Sequence, residues 1–290
     1  TIVIHGGQNT VMGGAGNDDI TIGQSGKNDA AENVVLGDGG KYVVDKRNGL
    51  VKVNTNDLSV AESDLPDYED KINIYGGQNT VMGGVAGDEI ELYGDDNIVL
   101  GDGGESVREW NADNKVFDAI KYVKTTNDDN GDADTINIHG GKNAVMGGAA
   151  GDKIEIGDQN KNNGNENVVL GDGGSYVVDK TNKEVTVATS REVKDGKVVI
   201  YGDVDTINIH GGQNTVMGGA AGDKIELYGD DNIVLGDGGE SVREWNAENK
   251  VFDAIKSVKT TDDDNGGEDR INIHGGKNAV MGGAVDDKIN

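Results

Sequence analysis

The sequence predicts an all-β protein, a parallel β-solenoid carrying hairpin insertions. Three observations predict it: the chain repeats itself, its aliphatic residues alternate in short segments between glycines, and large side chains are scarce. Among 290 residues there are 48 Gly, 1 Pro, 2 Phe and 2 Trp, with 34% hydrophobic residues. The length would suit two ordinary domains, but a rounded core needs more large side chains than this. Acidic, glycine-rich chains otherwise remain disordered; the regular placement of Ile and Val argues for folding.

The repeat has two scales. The tetrad VMGG begins at Val11, Val81, Val145, Val216 and Val280, in steps of 70, 64, 71 and 64 residues. LGDGG begins at Leu36, Leu100, Leu170 and Leu235. The segments 93–121 and 228–256 differ only at Asp113 versus Glu248. Such self-similarity marks a stacked array. We read residues 1–290 as one continuous array: long modules over 1–70 and 135–205, short ones over 71–134 and 206–269, and the start of a further module over 270–290.

Each coil can be counted. From Gly76 to Tyr93, GGQNTVM and GGVAGDEIELY give 18 residues, with one tight and one wide turn. In segments such as INI and IEL the aliphatic residues share one face and Asn or Glu the other. Burying each aliphatic side chain contributes about 1.5–3 kcal/mol, and one coil cannot bury both of its open faces, so stacking is required. After GDGG the pattern breaks for about thirty residues. It returns as GDADTINIH at Gly131, GDVDTI at Gly202, GEDRI at Gly267 and, without the glycine, YEDKI at Tyr68. Each break reads as an insertion into the wide turn of every second coil. YVVDKRNGLVKV, YVVDKTNKEVTV and both copies of SVREWNA[DE]NKVFDAIK look like β-hairpins.

GGAGNDDIT, from Gly13 to Thr21, resembles the GGxGxDxUx nonapeptide of the RTX, or hemolysin-type, calcium-binding repeats. GGVAGDEIE, GGAAGDKIE (twice) and GGAVDDKIN keep the two glycines, the aspartate and the aliphatic residue but lack the later glycine. The resemblance implies a right-handed parallel β-roll in which the sixth-position aspartates and backbone carbonyls of adjacent turns hold Ca²⁺. Carried over position by position, it nominates Asp18, Asp88, Asp152, Asp223 and Asp287. The half-motifs after the insertions add Asp70, Asp134, Asp205 and Asp269. The tight turn has no such aspartate, so the ions are expected along one edge. Asp38, Asp102, Asp172 and Asp237, in GDGG, are candidates to supply a carboxylate from the other end of each insertion.

Charge agrees with a cation. Fifty-three acidic against 26 basic residues leave −27, which excludes nucleic acid as a partner. Carboxylates on rungs about 4.8 Å apart repel by about 3.5 kcal/mol at an effective dielectric of ~20. Calcium, with its flexible shell of oxygens, turns that repulsion into a bridge, whereas Mg²⁺ demands a tighter octahedron. Cysteine is absent, and no apolar stretch reaches the length of a membrane span. No Ser–His–Asp set, Cys–His set or phosphate loop stands out, so no enzymatic activity is expected. NDDNGDAD and DDDNGGED, started at Asn127 and Asp262, place glycine one position early for an EF-hand.

Four further series recur. Asn9, Asn33, Asn79, Asn97, Asn143, Asn167, Asn214, Asn232 and Asn278 precede the inward valines and suit an amide ladder. His5, His139, His210 and His274 share one position, with copies about 10 Å apart if two coils separate them; strand-end packing fits better than a shared ion. Met12, Met82, Met146, Met217 and Met281 alternate with the leucines of LGDGG in an outward column that must be covered, by the insertions or by a neighbour. Trp110 and Trp245 are expected in hairpin mini-cores, with sugar stacking as the alternative.

The function expected is a calcium-binding structural segment of a long bacterial adhesin, biofilm-matrix or extracellular filament protein. The resemblance implies type I secretion, with folding and rigidification on calcium outside the cell. The sequence is read as an excerpt of a longer array. Expected partners are further copies of the repeat, laterally or end to end, and surface glycans. The alternatives are a β-roll appendage of a secreted enzyme and a carbohydrate-binding module built on the insertions.

Overall fold

A computed structural model describes residues 1–55, 68–111, 116–125, 131–190, 192–194, 197–199, 202–246, 251–261 and 266–290. Asn127 and Asp262, where the EF-hand comparison starts, lie outside these residues. The chain is a parallel β-solenoid, and no helix occurs among the described residues. One face is a 10-stranded parallel sheet running from Ile2–Ile4 to Lys288–Ile289, and the opposite face is a 9-stranded parallel sheet from Thr10–Met12 to Ala279–Met281.

Register follows the repeat. Ile72 pairs with Ile90, Ile90 with Ile136 and Ile136 with Ile154, so like residues stack on like. On the other face Val81, Val99, Val145 and Val169 form the matching column. Period-two alternation sends these side chains between the two sheets, where Ile20, Ile72, Ile90, Val99, Val145 and Ile154 are fully buried. The interior is thin and wholly aliphatic, as a chain with few aromatics requires.

The tight-turn edge is held by amides. Both the main-chain N–H and Nδ2 of Asn79 donate to Oδ1 of Asn97 at 3.0 Å, and those of Asn97 donate to Asn143 at 2.9 and 3.0 Å. The same double bond links every successive pair from Asn9 to Asn278. Outside it, Tyr75, Tyr93 and His139 stack with centroids 4.7 and 4.4 Å apart. His210, Tyr228 and His274 form a second stack. His139, His210 and His274 therefore stack on tyrosines at the strand ends.

The four insertions do more than form separate hairpins. Gly40–Asp45 pairs with Leu50–Thr55, Gly104–Asn111 with Val116–Thr125, Gly174–Asp179 with Glu184–Thr189, and Gly239–Asn246 with Val251–Thr260. Neighbouring hairpins then pair in turn, giving one 8-stranded antiparallel sheet. This hairpin sheet lies over the 9-stranded face and covers the methionine–leucine column. Met82, Leu100, Met146, Leu170, Met217 and Leu235 are fully buried, and Val53, Val123, Val187 and Tyr176 are buried with them. Only the end members Met12 and Met281 stay exposed, at 40% and 36%. Trp245 belongs to this same second core at 8% exposure, so the mini-core expected inside each hairpin is a layer shared with the solenoid. Arg108, buried under the sheet, donates from Nη2 to the carbonyls of Asn79 and Asp96 at 3.2 and 2.7 Å and so ties its hairpin to the asparagine edge.

The tight turns are unequal. Between Asp19–Ile22 and Val34–Leu36, and between Lys153–Ile156 and Val168–Asp172, the link is longer than the seven-residue pattern. In the second of these Asp158 Oδ1 lies 3.0 Å from Nδ1 of His139.

Candidate metal centre

The wide-turn edge gathers the sequence-nominated aspartates into one file. The N–H of Asp18 donates to Oδ1 of Asp70 at 2.6 Å, that of Asp70 to Asp88 at 2.7 Å, that of Asp88 to Asp134 at 2.6 Å and that of Asp134 to Asp152 at 2.7 Å. The file continues from Asp152 through Asp205, Asp223 and Asp269 to Asp287 at 2.6–3.1 Å. All nine positions, from plain turns and from insertion returns alike, are brought together. Each supplies one rung.

From Asp70 to Asp287 one oxygen of each carboxylate is thus taken by an N–H of the file. Oδ2 of Asp70, Asp88, Asp134, Asp152, Asp205 and Asp223 is buried with no hydrogen-bond partner. These residues are at most 2% exposed. An unpaired buried carboxylate is costly unless it is protonated or meets a cation. Burial pushes Asp70 up to about 7, Asp205 to about 8, Asp88 and Asp152 to about 9 and Asp223 to about 10, and it raises Asp134 well above the carboxylate range. Neighbouring carboxylates add to it: Asp70, Asp38 and Asp102 act on Asp88, and Asp205, Asp269 and Asp237 on Asp223.

The glycines before the aspartates make room for these oxygens. A methyl group on Gly83 would collide with Asp88 Oδ2 and the Gly101 carbonyl; on Gly147, with Asp152 Oδ2 and the Gly171 carbonyl; on Gly218, with Asp223 Oδ2 and the Gly236 carbonyl. A carboxylate oxygen and a carbonyl oxygen from the next rung therefore border the same space at each level. Here the paired glycine of the motif is required by close approach.

The GDGG aspartates join this edge. Asp38 Oδ2 accepts the N–H of Val85 at 2.9 Å, Asp102 that of Ala149 at 2.7 Å and Asp172 that of Ala220 at 2.5 Å, and Asp237 accepts that of Ala284. Each thus reaches the wide turn of the following rung, a link that spacing alone did not reveal. Its signal was the glycine that receives it: Gly84, Gly148, Gly219 and Gly283 all have φ between +132° and +138° and lie against these carboxylates.

The donor set is all oxygen, hard, and rich in negative charge, which suits Ca²⁺ and offers nothing to soft or nitrogen-seeking metals. Among the described residues no group of three or more His, Cys, Asp or Glu side chains could hold a metal alone. Main-chain carbonyls must then complete any shell, and the glycine carbonyls beside each Oδ2 are placed to do so. The residues present fit calcium on these grounds.

A family described as protein of unknown function (DUF3060) matches residues 193–246, well under half of the chain. That stretch carries two solenoid rungs and the first strand of the last hairpin. Comparison with curated proteins and with solved structures gives no match.

Proposed function

We propose that the chain is a calcium-binding structural segment of a secreted bacterial repeat protein, an adhesin, matrix or filament component that folds and stiffens on meeting calcium outside the cell. The observation that carries the reading is the file of buried Asp Oδ2 atoms without partners, stacked rung on rung beside glycine carbonyls. Asp18, Asp70, Asp88, Asp134, Asp152, Asp205, Asp223, Asp269 and Asp287 would hold the ions, with Asp38, Asp102, Asp172 and Asp237 contributing at the interrupted turns. A bound divalent ion supplies the positive charge that the buried carboxylates lack. The chain's own contribution is to fix those oxygens in register and keep water from them.

Linkage gives the switch its size. A site filled at a hundred times its Kd adds about 2.7 kcal/mol, and several sites along one edge add up. The same chain is then weakly folded where calcium is scarce and stable where it is abundant, as export in an unfolded form requires. The glycan reading gains nothing from Trp245, whose ring lies in the second core. The test is calcium titration of the chelator-treated protein followed by far-UV circular dichroism. Strand signal and Tm should both climb with calcium and fall with chelator. An unchanged spectrum and Tm, with no calcium bound at equilibrium, sinks the reading.

A further inference from the structure

The wide turns are of two kinds. In the plain turns the turn itself carries one aspartate, Asp18, Asp88, Asp152, Asp223 or Asp287, and in the last four the GDGG aspartate of the preceding rung also accepts an N–H, from Val85, Ala149, Ala220 or Ala284. In the interrupted turns the chain leaves into a hairpin and comes back, and both ends carry a carboxylate: Asp38 with Asp70, Asp102 with Asp134, Asp172 with Asp205, and Asp237 with Asp269. The strongest like-charge repulsion on Asp172 comes from Asp205, and that on Asp134 comes from Asp102. The departing aspartate also touches the returning strand, since Asp102 lies against Gly131, Asp172 against Gly202 and Asp237 against Gly266. Two oxygens at one such neck, Asp172 Oδ1 and Asp205 Oδ2, are buried without a hydrogen-bond partner in residues that are fully inaccessible.

We propose that the interrupted turns form a second, tighter class of calcium site, a clasp at the neck of each hairpin, whose loading seats the hairpin sheet on the solenoid. The proposal rests on the calcium reading above and adds to it a division of labour among the aspartates. Exit and return of an insertion must come together for Gly104–Asn111 or Gly174–Asp179 to start from the edge of the solenoid and lie over Met146 and Leu170. Two buried like charges at that junction oppose the closure, and one divalent cation between them reverses the sign. A plain turn has no such junction, because its chain continues directly from one sheet into the other.

The experiment compares wild type with the fourfold variant Asp38→Asn, Asp102→Asn, Asp172→Asn, Asp237→Asn. Calcium chloride binding is followed by calorimetry, and hairpin docking by the fluorescence of Trp110 and Trp245. Wild type should give two phases, with the tryptophan emission moving to shorter wavelength in the tight phase. The variant should lose the tight phase, its affinity there falling about tenfold or more, while the weak phase and the calcium-induced strand signal persist. Asp172→Asn alone should remove a fraction of the tight phase and guards against misfolding of the fourfold variant. An unchanged two-phase titration in both variants, or a tryptophan shift that follows the weak phase, overturns the clasp and leaves the calcium reading standing. A flat wild-type isotherm removes that reading and the clasp together.

Discussion

The main-chain N–H of Asp152 donates to Oδ1 of Asp205 at 2.6 Å, although 53 residues of sequence separate them. The intervening chain runs out through a whole hairpin and returns to the place the repeat demands. The neighbouring bond, from Asp134 to Asp152, spans only 18 residues and has nearly the same length, 2.7 Å. The edge is therefore indifferent to what is inserted between its rungs, and its energetics can be tested position by position.

Without calcium the buried carboxylates should make stability fall as pH rises. Burial lifts Asp70 to about 7, Asp205 to about 8 and Asp88 and Asp152 to about 9, while unfolded aspartates titrate near 3.9. Between these limits the folded chain holds more protons than the unfolded one. The stability that these protons confer is complete below about pH 4 and is lost as pH climbs through 7 to 9. In chelator, Tm should drop by about 10 °C or more between pH 5 and pH 8. With saturating calcium the drop should vanish, since the ion takes over from the protons. A thermal scan across pH in both buffers checks it; a Tm that rises with pH in chelator contradicts the file of buried acids.

Asp152→Asn should change sign with the medium. The amide keeps an oxygen for the N–H of Asp134 and, unlike the carboxylate, takes up no proton to be buried neutral. In chelator at pH 8 the variant should be more stable than wild type by about 1–3 kcal/mol. In calcium it should be less stable, having lost a ligand. Paired denaturant titrations with and without calcium decide this, and the same direction in both media would argue that the position holds no ion.

Asn143→Ala should strike the other edge. Asn143 Oδ1 accepts both the N–H and the Nδ2 of Asn97 at 2.9 and 3.0 Å, and its own N–H and Nδ2 donate to Asn167. Alanine leaves the Asn97 main-chain N–H buried and unmet and its Nδ2 with the Gly94 carbonyl alone, a loss of about 2–4 kcal/mol. Calcium stoichiometry should not change, because the asparagines lie at the opposite turn. Tm and calorimetry measured on one preparation separate the two edges.

Met146→Ala and Met12→Ala form a matched pair. Met146 is fully buried beneath the hairpin sheet and Met12 is 40% exposed. The first should lose about 2–5 kcal/mol; the second should stay within about 0.5 kcal/mol of wild type. Equal effects in chemical denaturation would mean that the hairpins do not cover the column.

Much of this fold is readable from the chain because each rung repeats the same instructions. Ile72, Ile90 and Ile136 stack because an Asp two residues before each of them closes the same turn, so counting residues finds both the strand and its register. The aspartate file was legible for the same reason. The joining of four hairpins into one sheet was not, since the pairing of Tyr122 with Val177 is set by the distance between modules and leaves no local mark. Nor could spacing show that Asp102 bonds Ala149, because that contact depends on how the returning strand lies. The outward methionines did foretell a cover, though a neighbouring molecule would have satisfied the same pattern.

The hairpin sheet lies against only one of the two solenoid faces. In mechanical terms the protein is a beam with a plate bonded along one flank, so its neutral plane shifts toward that plate and its flexural rigidity normal to the plate is raised. Bending toward or away from the plate stretches or compresses it, so thermal excursions in that direction are smaller than those of the bare two-sheet solenoid would be.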